Sequence, residues 1–204
     1  MTISYKFDLD GQEFKCPSFD DITQLHNYHD IVSIDCSYNQ LTVLPTLPNS
    51  LIELYCHNNN LTVLPTLPQR LEYLVCSSNE LTILQTLPNS LTLLRCTYNK
   101  LTFIPTLPNS LTRLYCQSNI LAFFPKFPDS LEYNYYDHNP VDTYIKKKYG
   151  GSLDIYHRVN EIFATKLVRW YLDCRENPSF KFCRDRLDRE YDALMEEDVG
   201  EIMG

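Results

Sequence analysis

The sequence predicts a β-solenoid, a coil with a parallel sheet on one side and an extended, non-helical back, followed by a C-terminal helical hairpin. Three observations predict it. The stretch LTVLPTLPNSLIELYCHNNN returns twenty residues later as LTVLPTLPQRLEYLVCSSNE and again as LTILQTLPNSLTLLRCTYNK. Within each unit a short run alternates apolar and variable residues, as a strand with one buried face does. Prolines then recur at a density that forbids a helix. A unit too small to bury its own apolar face becomes stable by stacking on copies of itself.

Aligned on this period, the units begin at Ile31, Leu51, Leu71, Leu91, Leu111 and Leu131 and approximate L-x-x-L-x-C-x-x-N-x-L-T-x-L-P-x-L-P-x-S. In LIELYC, the fourth and sixth places put Leu54 and Cys56 on one face of a strand and Glu53 and Tyr55 on the other. An asparagine follows in every unit: Asn39, Asn59, Asn79, Asn99, Asn119 and Asn139. Its amide both donates and accepts, so it satisfies backbone groups where the chain turns away from the strand, and a row in register predicts a ladder. The return carries Pro45/Pro48, Pro65/Pro68, Pro105/Pro108 and Pro125/Pro128, with Pro88 alone in the remaining unit. These predict a polyproline-like path whose intervening leucines, such as Leu44, Leu47, Leu64 and Leu67, point back inside. Glycine is absent between residues 12 and 149, which leaves the turns to Asn, Pro and Ser.

Three segments follow from this alignment. Residues 1–30 form an N-terminal cap or degenerate repeat, 31–140 the six units with the last degenerate, and 141–204 a C-terminal helical cap. The first segment keeps Cys16 in register but lacks the proline return, and YKFDLDGQEFKC reads as a strand pair or a degenerate first rung. The last unit, LEYNYYDHNPVDTYIKKKYG, carries Asn134 at its fourth place and loses its proline return, marking the end of the stack. Its Lys146-Lys147-Lys148 run reads as a solvated turn. After Gly150-Gly151, Ile155, Val159, Ile162, Phe163, Leu167, Trp170 and Tyr171 recur at helical spacing behind a Ser152 N-cap. Asn177-Pro178 restarts a second helix with Phe180, Cys183, Leu187, Tyr191, Leu194 and Met195 on one face. The hairpin is expected to cover the last rung, because a solenoid end otherwise exposes its core.

The 204-residue chain is 44% hydrophobic and 22% charged, an ordinary globular balance. A formal charge of −8 argues against nucleic acid or an anionic membrane as a partner. No basic region followed by an apolar run opens the chain, and no stretch approaches the roughly 20 apolar residues that cross a bilayer. The expectation is a cytoplasmic protein, with a host cell's cytoplasm as one setting.

Of the eight cysteines, Cys16, Cys36, Cys56, Cys76, Cys96 and Cys116 recur at intervals of twenty, with Cys174 and Cys183 outside the series. Disulfide frameworks and zinc sites use close pairs or mixed clusters. A spacing tied to the repeat predicts a file of buried thiols instead. His26, His29, His57, His138 and His157 form no ligand set with them, so neither metal nor cofactor is expected. No phosphate loop, nucleotide fingerprint or serine triad is visible, and the expectation is a non-enzyme.

This pattern resembles the short LPxLP class of leucine-rich repeats, found in effectors of Gram-negative pathogens and in proteins of giant amoeba-infecting viruses. The resemblance is strong over residues 31–140 and weak over 11–30. It departs at the sixth place, where cysteine stands for the usual leucine or valine. Effectors of this class include ubiquitin ligases whose separate C-terminal domain carries a nucleophilic cysteine in a Cys-x-Asp motif. Cys183-Arg184-Asp185 matches those three positions. The ligase domain is much longer than the segment present here, and Cys183 falls on a predicted apolar face, where a thiol is inert. A substrate adaptor or ubiquitin-ligase-like effector is therefore the alternative reading.

The main expectation is a monomeric protein–protein interaction module that takes a protein partner on the concave face of its solenoid. That face carries the third and fifth places: Ser33, Glu53, Tyr73, Leu93, Arg113 and Tyr133, then Asp35, Tyr55, Val75, Arg95, Tyr115 and Tyr135. The candidate binding residues are Glu53, Tyr55, Tyr73, Arg95, Arg113, Tyr115, Tyr133 and Tyr135. With rungs about 4.8 Å apart, Tyr115, Tyr133 and Tyr135 are expected in one aromatic patch beside Arg95 and Arg113. Tyrosine and arginine are enriched in interface hot spots, although aromatic rows also stabilise sheets.

Overall fold

Six short parallel strands, one per repeat, form the spine of the fold. In a computed structural model that describes residues 2–161 and 165, they are β3 (Ser33–Asp35), β4 (Glu53–Tyr55), β5 (Tyr73–Val75), β6 (Leu93–Arg95), β7 (Arg113–Tyr115) and β8 (Tyr133–Tyr135). Each pairs with the next at a register of one period: Ile34 with Leu54, Leu54 with Leu74, Leu74 with Leu94, Leu94 with Leu114. The solenoid read from the sequence is the fold observed. Its inner face carries the fourth- and sixth-place residues, and Leu54, Cys56, Leu74, Cys76, Leu94, Cys96, Leu114 and Cys116 are fully buried. Leucines of the return meet them from the other side: Leu61, Leu64 and Leu67 are buried, and so are Leu81, Leu84 and Leu87. Burying one such side chain contributes about 1.5–3 kcal/mol, which a lone rung with no neighbour cannot collect.

The asparagine ladder joins rungs rather than only closing turns. Asn79 Nδ2 donates to the carbonyl of Cys76 in its own rung at 3.1 Å and of Cys56 in the preceding rung at 3.0 Å. Its Oδ1 accepts from Leu61 N at 2.9 Å. Asn59, Asn99, Asn119 and Asn139 repeat the pattern. The residue before each asparagine adopts a left-handed backbone: φ is 54° at Asn58, 54° at Ser78, 53° at Tyr98, 54° at Ser118 and 59° at His138. With no glycine in the repeats, side-chain-bearing residues carry this strained conformation. At the opposite corner the unit's last serine ties back too. Ser90 Oγ donates to Leu71 O at 2.7 Å, as Ser110 does to Leu91 O at 2.7 Å.

The N-terminal segment takes the strand-pair alternative. β1 (Ile3–Lys6) and β2 (Phe14–Cys16) are antiparallel, and β1 also pairs antiparallel with β3, giving the sheet order β2-β1-β3-β4-β5-β6-β7-β8. A helix, α1 (Phe19–Thr23), follows, with Ser18 Oγ accepting from Asp21 N at 3.3 Å and Phe19 and Ile22 buried. This hairpin corrects one expectation. Cys16 does not join the file of thiols, because the reversed chain puts β1 between it and Cys36, and its Sγ donates to Ser18 O at 3.2 Å.

A second correction falls in the last unit. Asn139-Pro140 starts a helix, α2 (Pro140–Tyr149), so Lys146, Lys147 and Lys148 occupy its last turn rather than a loop. There their charge faces the negative end of the helix dipole. The helix stops at Gly150, with φ at 61°, and Gly151 N donates back to Ile145 O at 3.2 Å. Residues 153–161 are helical again, and Ser152 Oγ accepts from Ile155 N at 3.3 Å, the expected N-cap. The chain divides into two compact units, Met1–Asp142 and Thr143–Gly204. The predicted second helix from Pro178, together with Cys174 and Cys183-Arg184-Asp185, lies outside the described residues. Among the described residues no helix is long and apolar enough to cross a membrane.

Candidate protein-binding face

The alternation that buries leucine and cysteine turns the third, fifth and seventh places of each rung to the outer face of the sheet. On that face lies an open trough of about 940 Å³, and Tyr55, Tyr73, Arg95 and Tyr115 line it with Val75 and Leu93. Four of the eight candidate residues therefore come together in one hollow. Glu53 sits at the edge of a second hollow of about 250 Å³, beside Ser33 and Asp35, and accepts from Ser33 Oγ at 3.0 Å. Arg113, Tyr133 and Tyr135 line neither hollow.

Arginine and tyrosine do stack across the rungs. The guanidinium of Arg95 lies 4.5 Å from the ring centroid of Tyr115. Tyr115 in turn stacks on Tyr135, with centroids 5.2 Å apart and planes 7° from parallel. In-register pairing causes this, since Arg95 stands opposite Tyr115 and Tyr115 opposite Tyr135. Tyr133 stands opposite Arg113 instead, one alternation step along the strand, and has no ring contact with Tyr115 or Tyr135 among the described residues. Neither Arg95 nor Arg113 forms an ion pair among the described residues. Burial, with the charge of Glu53 second, pushes the Tyr55 phenol up from its ordinary value.

The seventh place supplies residues that the sequence reading passed over. His57, Ser77, Thr97, Gln117 and Asp137 line the same trough. His57 Nδ1 and Gln117 Oε1 are shut off from solvent with no hydrogen-bond partner. Ser78, Tyr98, Ser118 and His138 join them from the left-handed eighth place. The signal was present: alternation beyond the cysteine carries the outward row to the seventh place.

The thiols behind the face are held protonated. Burial pushes Cys36, Cys76 and Cys116 up to about 12, and Cys56 and Cys96 well above the ordinary value. A thiol that is not ionised is neither a nucleophile nor a metal ligand. No group of three or more His, Cys, Asp and Glu among the described residues is placed to hold a metal ion.

The parallel sheet, the twenty-residue turn and the asparagine ladder define a leucine-rich repeat solenoid. Solved structures agree with this class. The leucine-rich repeat domain of a Shigella effector is similar at 32% identity and a TM-score of 0.52, covering 52% of this chain and 49% of that one. YopM, a leucine-rich effector protein from Yersinia pestis, is similar at 35% identity and a TM-score of 0.51, covering 52% of this chain and 31% of its own. The similarity thus spans about half of the first and under a third of the second. No family model and no curated protein matches the chain.

Proposed function

We propose that this chain is a protein-interaction module whose partner docks on the outer face of the sheet, in the trough around Tyr55, Tyr73, Arg95 and Tyr115. One observation carries the reading: the Arg95–Tyr115–Tyr135 stack holds a cation and two aromatic rings in fixed positions before any partner arrives. Preorganised aromatic and arginine side chains lose little entropy on binding and are the types that dominate hot spots. Similarity to two effector repeat domains supports a binding role. Its setting is the cytoplasm, a host cell's included, where five buried free thiols persist in reduced form.

The test is affinity capture from lysate with the native chain and with a Tyr73→Ala, Arg95→Ala, Tyr115→Ala triple variant. The variant is expected to lose the captured partner while its buried cysteines stay unreactive. The same partners captured by a folded variant would reject the trough.

A further inference from the structure

Away from the sheet, the thirteenth place of each unit is apolar in every rung from Ile31 to Ser130: Val43, Val63, Ile83, Phe103 and Phe123. All five are exposed, from 37% at Phe103 to 67% at Val43. They form a stripe, because adjacent rungs hydrogen-bond just before it. Asn60 N donates to Leu41 O at 2.8 Å, Glu80 N to Leu61 O at 2.9 Å, and Ala122 N to Thr102 O at 3.2 Å. The flanking twelfth and sixteenth places are exposed threonines in the first four rungs, and Lys126 is the stripe's one charged neighbour at these places. In a chain with 22% charged residues, a solvated face without a function would carry more.

The order of sizes along the stripe identifies what covers it. Small residues stand at one end, isoleucine in the middle and phenylalanines at the other end. A twofold contact pairs place i with j and j with i. Laid antiparallel, two copies put Val43 against Phe123, Val63 against Phe103 and Ile83 against itself on the axis. Every contact then matches large with small and the gap between copies is even. A parallel arrangement would set phenylalanine on phenylalanine and leave the valines apart. We propose that this stripe is the self-association surface of the chain, an antiparallel twofold dimer centred on Ile83, in place of the monomer expected from sequence. Five rungs make a strip about 20 Å long, which buries on the order of 500 Å² per copy, the low end for specific association. The dimer is therefore concentration-dependent rather than obligate. It rests on different residues from the trough and stands or falls separately.

Sedimentation equilibrium of the full chain across the micromolar range tests it. A monomer–dimer equilibrium is expected, and Ile83→Asp, which sets two carboxylates together on the axis, raises the dissociation constant by about a hundredfold. Val43→Asp and Phe123→Lys are each expected to dissociate the dimer. An equimolar mixture of the two variants is expected to restore it, since the carboxylate introduced in one copy then meets the ammonium introduced in the other. Unreactive buried thiols verify the fold of each variant. A native chain monomeric throughout, or a mixture that stays monomeric, overturns the proposal.

Discussion

Asn79 donates to the carbonyl of Cys56, twenty-three residues earlier, at 3.0 Å, and so ties one rung of the solenoid to the rung before it. The same side chain serves Cys76 O and Leu61 N, all in the buried interior. Asn79→Leu leaves Leu61 N without a partner in a place water does not reach, while Cys56 O and Cys76 O each keep one donor, from Asn59 and Asn99. A buried unsatisfied N–H costs about 1–3 kcal/mol, so a loss of about that size is expected in urea denaturation.

The buried thiols make stability depend on alkaline pH. Burial pushes Cys36, Cys76 and Cys116 up to about 12, and Cys56 and Cys96 also well above the ordinary value. The folded chain therefore keeps protons that the unfolded chain releases above about pH 8.5. This contribution is complete below the unfolded value and is lost as pH rises towards the folded ones. Each thiol adds a slope of up to about 1.4 kcal/mol per pH unit. The urea midpoint is expected to fall steeply above pH 9, and Cys76→Val to remove about one fifth of that slope.

Tyr98 holds a left-handed backbone, φ 53°, with a side chain largely in solvent. Two periods earlier the same place holds Asn58, a residue type that tolerates this conformation. Tyr98→Asn is expected to stabilise the chain by about 0.5–1 kcal/mol, read as a higher urea midpoint at unchanged slope.

Arg95 and Tyr115 should be energetically coupled through their stack. Because Arg95 is exposed, a double-mutant cycle over Arg95→Ala and Tyr115→Ala is expected to give a coupling of about 0.5–1 kcal/mol. Tyr115→Ala alone also removes the Tyr135 contact and costs more than Arg95→Ala. A coupling near zero would mean that the cation is not held over the ring in solution.

The repeats were legible because a solenoid converts tertiary contacts into a sequence period. Leu54 meets Leu74 because they lie one turn apart, so alternation, asparagine row and stacking could all be read directly. Cys16 misled because the period does not reveal when the chain reverses direction. The Lys146-Lys147-Lys148 run misled because Asn139-Pro140, the end of the ladder, is also a helix start, and local signals do not say which role prevails. For the candidate site, the strand places were readable. The gathering of Tyr55, Tyr73, Arg95 and Tyr115 into one trough, apart from Arg113 and Tyr133, was not.

By itself the sequence determined the coil, its length per turn, the inward leucines and thiols and the outward tyrosines and arginines, since each follows from neighbours along the chain or one period away. Tertiary structure alone decided which outward residues share a hollow, which ring meets which cation, and how the ends of the sheet are made. Those depend on strand direction and on side-chain packing across rungs, where several arrangements satisfy the same periodic pattern and only close contact selects among them.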